Sequence, residues 1–505
     1  MLMGMLIICA HPGIGQTEKG QPTGEQTLNA SSSSGVDLAQ RMQKLTEAMA
    51  RTQARLEESQ QELMQMRQEL ADLLHQLQPA SQSDTTASDS AQISNSQSAS
   101  SLSAAVEELR ERQDVVESQI ATHEQAKVES TSKYPLRLHG LVLFNAFVNT
   151  NRVDIPETPA IALGGAGNTG AIMRQTILGF DATGPRILGA QSYADLDMDF
   201  NASTGSTYTV SLARLRTAHA GLRWGNMNAW FALDRPLISP LMPSSLTAVA
   251  QPALSWSGNL WTWNSQVGVT QEFALNEASH LRLQAALIDV GDAPYSTYNS
   301  TSRILPQPTA AEQSRWPGAQ AHLALLAPDR EDAGNQLGIG ALAVPHRAYG
   351  YQYDGWAVSA DGRLHLPGHM EISGDIYRGL SLGGLGGGAY KDYAYYQDPT
   401  TGEYYLRPLD SIGGWAQLKE KISDHLEFNE AFGTDQIVAH QFRPYVSGTG
   451  IAQNLVANRT YTGNVIFHPS AYLLFSLEYR HLASSQAIGS GAESNVIGVA
   501  AGYSF

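Results

Sequence analysis

The chain has 505 residues, 16% charged and 42% hydrophobic, with 46 Gly, 20 Tyr, 8 Trp and a formal net charge of −16. An acidic chain without a Lys/Arg stripe argues against nucleic-acid binding, and no run of about 18 apolar residues is present to form a mature transmembrane helix. Low charge with many Gly, Tyr and Trp suits a membrane β-barrel, whose outer face is apolar and whose turns need glycine.

Residues 1–35 read as a signal-like and disordered leader. The apolar start at 1–10 is followed by small residues but lacks a basic n-region, and a polar, Ser/Gly-rich stretch comes next. The one cysteine, Cys9, falls in this leader, so the mature chain is expected to carry none, which fits an oxidising envelope compartment. Ile8 before it is unfavourable for lipid attachment. A heptad then runs over 36–78, with Met42, Met49, Leu56, Leu63, Leu70 and Leu77 at a. Leu38, Leu45, Thr52, Ser59, Met66 and Leu73 occupy d. This pattern predicts an α-helical coiled coil roughly 60 Å long. Residues 79–101 form a polar low-complexity linker. A second helical segment spans 102–130, with Leu102, Leu109 and Val116 at d and Val106 and Ile120 at a. His75 and His123 are read as solvated helix residues and not as metal ligands.

From Tyr134 the period changes from 3.5 to 2, and residues 134–505 predict an all-β transmembrane barrel of about 16 antiparallel strands. Candidate strands fall near 137–149, 171–183, 188–200, 208–223, 227–233, 259–272, 280–289 and 318–327. Others fall near 335–344, 354–365, 369–379, 411–422, 425–433, 458–468, 471–482 and 495–505. The gaps between them alternate, long at 150–170, 234–258, 290–317, 380–410 and 434–457. They are short at 184–187, 225–226, 276–279, 367–368, 423–424 and 468–470. Long loops at one end and tight turns at the other describe an outer-membrane barrel with its turns in the periplasm. An even strand count puts both barrel ends on the turn side, so the coiled coil is expected in the periplasm. The final run alternates down to Tyr503 and Phe505, read as lipid-facing anchors at the periplasmic rim of a last strand that pairs with the first.

The two faces are clearest at 190–200. Ala190, Ser192, Ala194, Leu196, Met198 and Phe200 make one face; Gln191, Tyr193, Asp195, Asp197 and Asp199 make the other. Three carboxylates at this spacing fit either a Ca²⁺ site or a wet lumen, and the lumen is preferred because charge does not face lipid. Elsewhere, Trp261, Trp263, Val267 and Val269 oppose Thr262, Asn264, Gln266 and Thr270. Ile372 and Ile376 oppose Glu371 and Asp375, and Leu477 and Tyr479 oppose Glu478 and Arg480. Arg174, Arg214, Arg216 and Arg282 complete the pore-lining candidates. Arginines facing acids across the lumen would set up a transverse field that sorts solutes. The Pro-rich loop beginning at Asp234 and Arg235 is the candidate to fold inward and narrow the pore.

The opening strand LRLHGLVLFNAF, the segment RQTILGFDATGPRILGAQSYADLDMDF, then RLRTAHAGLRWGN and the terminal AAGYSF, behind a coiled coil and Ser-rich linker, resemble trimeric outer-membrane porins. The chain is most similar to the DcaP-like porins and more distantly to phosphate-selective porins. The resemblance covers 36–505. It implies a 16-stranded homotrimer in outer-membrane lipid that passes small polar solutes passively, often with anion preference, and it assigns Arg214 and Arg216 to a basic inner wall. The acidic balance and Asp195, Asp197 and Asp199 run against that preference.

Gly165-Ala-Gly167-Asn-Thr-Gly170 matches G-x-G-x-x-G but precedes strand-like sequence, so it is read as the first external loop. LGGLGGG at 382–388 has no following Lys-Ser/Thr and is read as a flexible loop. His365 and His369 flank a Pro-Gly turn and lose metal-ligand spacing. No catalytic, metal or cofactor constellation is expected. The rival reading is an envelope tether or adhesin in which the coiled coil, touching the cell wall, is the working part and the barrel an anchor.

Overall fold

Alternating side chains from Leu136 onward build one continuous β-wall. The computed structural model describes residues 135–202, 211–295, 308–327, 334–446, 451 and 453–505. The expected leader, coiled coil, linker and second helical segment lie outside the described residues. Strands follow in order as β1 (Leu136–Val153), β2 (Ala162–Ile172), β3 (Ile177–Ile187), β4 (Ala190–Ala202), β5 (Leu212–Trp224) and β6 (Met227–Asp234). Next come β7 (Asn264–Asn276), β8 (Ser279–Asp289), β9 (Gly318–Ala327), β10 (Asn335–Ala348), β11 (Tyr351–Leu366) and β12 (Met370–Leu380). A separate hairpin, β13 (Tyr393–Gln397) and β14 (Tyr404–Pro408), precedes β15 (Asp410–Ser423), β16 (Leu426–Ile437), β17 (Leu455–Phe467), β18 (Leu473–Gln486) and β19 (Ala492–Ser504).

β2 and β3 lie end to end on the same edge of β1. Leu136–Leu141 pairs with β3 and Asn145–Val153 with β2, the break between them falling at Met173–Thr176. Counting that pair as one interrupted strand, the 17-stranded sheet has 16 wall positions, all antiparallel. β1 also pairs with β19, from Leu141 opposite Ser504 to Asn149 opposite Val496. Gly140 and Phe505 exchange backbone hydrogen bonds of 3.0 and 3.1 Å. The ring is therefore closed at the seam of β1 and β19, so neither end strand leaves its ladder unpaired there.

Outside, the barrel carries apolar side chains on every flank: Phe231 is 64% exposed, Ile339 61%, Ile376 66% and Leu477 57%. A soluble surface does not carry so extensive an apolar band. At the turn end Tyr472, Tyr503 and Phe505 form a stacked row with centroids 6.2 and 6.5 Å apart. Inside, the polar faces of β9 to β12 and β15 to β18 are buried, and what buries them is loop.

The loop at 235–263 and the loop at 381–409 fold into the barrel and meet there. Trp256 of the first stacks on Tyr390 of the second at 3.8 Å and 14°. Ile161, Leu409, Ile437, Phe442 and Leu455 join the same cluster. Burying one such aromatic contributes about 2–3 kcal/mol, so the loops carry a hydrophobic core of their own inside a hydrogen-bonded wall.

Several expectations need correction. Gly165–Gly170 lies within β2, with Gly170 opposite Phe147 and Asn168 opposite Asn149. It looked like loop because its apolar alternation lapses, and a strand needs no apolar face where it has left the bilayer. The 382–388 glycines are packed, with Leu382, Gly383, Gly384 and Leu385 all buried. The turn after β3 is Leu188–Gly189, both at positive φ, and not 184–187. β7 begins at Asn264, which removes Trp261 and Trp263 from the lipid face and places them at the end of the inward loop. Tyr349–Gly350 is a tight turn at the end where the long loops lie, so the segregation of loop length is not complete.

Candidate functional site

The inward loop is strapped around the inside of the wall by side chains from many strands. Gln320 of β9 accepts from Leu237 N at 2.8 Å, and Gln417 of β15 accepts from Ser244 N at 2.6 Å. Glu478 of β18 accepts from the hydroxyls of Ser245 and Thr247 at 2.5 and 2.7 Å. Asn145 of β1 donates to Leu246 O at 2.9 Å. The break between β2 and β3 turns Gln175 inward, where it donates to Thr247 O and accepts from Val249 N and Ala250 N at 3.0, 2.8 and 2.9 Å. These bonds satisfy loop backbone that would otherwise be buried unpaired. They do so along the loop's whole length, so the loop is held as a fixed lining.

The sequence-derived candidates fall into place around it. Arg214 and Arg216 share an inward face of β5. The acids expected across the lumen are not their partners; they meet Asp199 on the adjacent strand. Arg214 is bidentate on its carboxylate at 2.6 and 3.1 Å, and Arg216 lies at 3.7 Å. Each also donates to the loop, Arg214 to Ala250 O at 2.8 Å and Arg216 to Val249 O at 2.9 Å. Both guanidinium groups stand over the Trp263 ring, at 4.9 and 5.3 Å. One fully buried carboxylate offsets one of the two positive charges locally, and both groups are further held by loop carbonyls and the Trp263 face.

Asp197 accepts from His139 at 3.1 Å and Asp195 lies 2.6 Å from His219 Nδ1. Asp195, Asp197 and Asp199 thus each face a different base instead of converging on one ion. Arg174 pairs with Glu157, both buried. Arg282 pairs with Glu272 at 2.8 Å near the turn end of β7 and β8. Glu371 lies 3.2 Å from His365. Asp375 is buried opposite Asp361, within electrostatic reach of Arg235. Glu478 and Arg480 form a buried pair at 2.5 Å, and Arg480 donates to Thr247 Oγ1 at 2.8 Å. Asp234 lies 3.0 Å from His219 Nε2. Arg235 folds back on the loop it begins, donating to the carbonyls of Ser239, Pro240 and Leu241.

These positions divide the lumen. Inward side chains of β9 to β12 and β15 to β18, such as His322, Asn429 and Thr462, lie beneath the loops at 2% exposure. Those of β4 to β6, among them Tyr193, Asp195, Asp197, His219 and Trp230, stay partly exposed. The water-facing wall therefore runs along β3 to β8. Sequence reasoning put Tyr193 on the lumen face with the three aspartates but did not single out His219 or Arg223. β5 carries an extra residue at Arg216, between Leu215 opposite Met198 and Thr217 opposite Asp197. The bulge switches parity, and strict alternation then assigns the residues beyond it to the wrong face.

No family model matches the sequence, and no curated protein matches it. Among solved structures, the outer membrane channel DcaP of Acinetobacter baumannii aligns over 74% of this chain and 99% of its own, at 16% identity and a TM-score of 0.55. The chain has the fold of that channel. An anion-selective porin from Comamonas acidovorans aligns over 74% of this chain and 100% of its own, at 10% identity and a TM-score of 0.44.

Proposed function

We propose that this chain is an outer-membrane porin through which small polar solutes diffuse passively, without chemistry. One observation carries the reading: a closed 16-position barrel, apolar outside, keeps a partly exposed polar wall along β3 to β8 while the rest of its interior is filled by strapped loops. A filled barrel would serve as an anchor; a retained polar path serves permeation. The likeness in fold to a protein described as an outer membrane channel speaks for the same reading. In it the short turns face the periplasm, the loops face outward, and Arg282 with Glu272 lies toward the periplasmic mouth. The working unit is a homotrimer in outer-membrane lipid. Its coiled coils bundle in the periplasm and reach toward the cell wall.

Planar-bilayer recording tests this. Purified protein is expected to insert with discrete conductance steps, and the steps are expected to be small for a barrel of this strand count because loops occupy so much of the lumen. Protein that inserts into bilayers and never conducts would refute it.

A further inference from the structure

We propose that the lumen wall between β4 and β8 holds a binding subsite for a neutral, polyhydroxylated solute the size of one pyranose ring, an inference that rests on the porin reading and names its solute class. The site is built on one hydrogen-bonded row. Tyr193 stands opposite Gly221, Gly221 opposite Trp230, and Trp230 opposite Gly268. Aromatic residues and glycines alternate across four strands, so each ring has a bare neighbour to lie over. A methyl group on Gly268 would come within 2.7 Å of Trp230 Cζ2, and one on Gly221 within 2.9 Å of the Tyr193 hydroxyl. The indole is thus laid flat along the wall, with Nε1 donating to Thr270 Oγ1 at 3.0 Å.

In front of this row lies a recess of about 190 Å³, bordered by Trp230, Asn228, Gln266 and Gln284 with His219 and Asp234 above. That is below the roughly 300 Å³ at which drug-sized pockets begin, so it suits a single small ring and not an oligomer. The axial C–H edge of a pyranose is weakly positive and complements the negative π-face of indole, while the partly exposed Gln284 amide serves the hydroxyls, Gln266 being committed to Asp234 O, Arg235 O and Gln320.

Charge excludes the main competitors. His219 is held between Asp195 at 2.6 Å and Asp234 at 3.0 Å. Arg235 is spent on three loop carbonyls, and Arg214 on Asp199. The two cationic side chains that border the recess, Arg235 and His219, both lie beside Asp234, whose charge opposes a carboxylate solute there. Arg223 lies in the adjoining vestibule toward the turns, 4.9 Å over the Tyr193 ring.

Two readouts on the full chain test the proposal: D-glucose titrated against ion current in planar bilayers, and against intrinsic tryptophan fluorescence in detergent. Glucose is expected to reduce the current saturably. Trp230→Ala is expected to weaken that effect about tenfold, and Trp230→Phe to restore it to within about threefold of wild type. Trp316→Ala, altering an exposed loop residue, is expected to change nothing. The inference is overturned if glucose has no saturable effect in either readout, if Trp230→Ala binds glucose as wild type does, or if succinate occupies the site and glucose does not. A saturable glucose-dependent fluorescence change from protein that never conducts would uphold the subsite and sink the porin reading instead.

Discussion

Asp199 is fully buried, and its two arginine partners are what make that burial tolerable. A buried carboxylate stripped of a partner costs about 3–5 kcal/mol, whereas removing both charges together costs much less. Arg214→Ala is therefore expected to lower the thermal midpoint in detergent by several degrees and to loosen the loop that Arg214 holds at Ala250. Arg214→Ala with Asp199→Ala is expected to recover part of that loss by circular dichroism. A double variant less stable than the single one would contradict the pairing. At this scale the sequence told the face of Arg214 and Arg216 correctly, because neither lies beyond the bulge. Strict alternation would not have placed the residues after Arg216, because one extra residue there reverses which side chains look inward and leaves no trace in composition. Nor does spacing within a strand reveal that Asp199 is opposite Arg214, since pairing register is set by turns whose lengths tolerate several choices.

The strands other than β2 were legible, since lipid on one side and water on the other impose the period-two code directly. The loops were not, because their inward faces bury against one another with no periodic signature, and the β13–β14 hairpin went unseen for that reason. Within the loop at 381–409, Lys391 is buried, donates to Ala389 O and Leu455 O at 3.0 and 2.9 Å, and has its ammonium pulled down to about 7 from 10.5 by burial. Burial pushes the neighbouring Asp392 up from 3.8 to about 6. Between 7 and 10.5 the opened loop binds more protons at Lys391 than the packed one, so packing strengthens as pH rises. At Asp392 the packed loop keeps its proton up to about 6 while the opened loop releases it near 3.8, so packing strengthens as pH falls through that range. The two signs place the weakest packing between about pH 6 and 7. Proteolysis at 381–409, corrected for protease activity on unfolded substrate, is expected to be fastest in that window. Lys391→Met should abolish the slowing above it. A cleavage rate independent of pH in the native protein would count against both charge states.

The whole molecule depends on closure. A sheet of 16 positions whose ends failed to meet would expose two unsatisfied ladders to hydrocarbon, where each unpaired group costs several kcal/mol. The closing seam is β1 against β19, and its turn-side end is fastened by the paired backbone bonds between Gly140 and Phe505. Phe505 also brings its ring against Gly140 and extends the row of Tyr472 and Tyr503. Deleting Phe505 removes two hydrogen bonds worth about 1 kcal/mol each and an aromatic anchor worth about 2 kcal/mol, all at one seam. Loss at a seam differs from loss in a core, because it frees neighbouring rungs to fray in sequence. The truncated chain is expected to refold into detergent with a lower yield and to lose its compact, heat-sensitive migration on gels at a lower temperature than wild type. Phe505→Tyr keeps the ring and the backbone bonds and should behave as wild type. Phe505→Gly keeps only the bonds and should fall between. If the deletion and Phe505→Gly proved equally stable, the backbone fastening at Gly140 would be irrelevant and closure would have to be secured elsewhere along the seam.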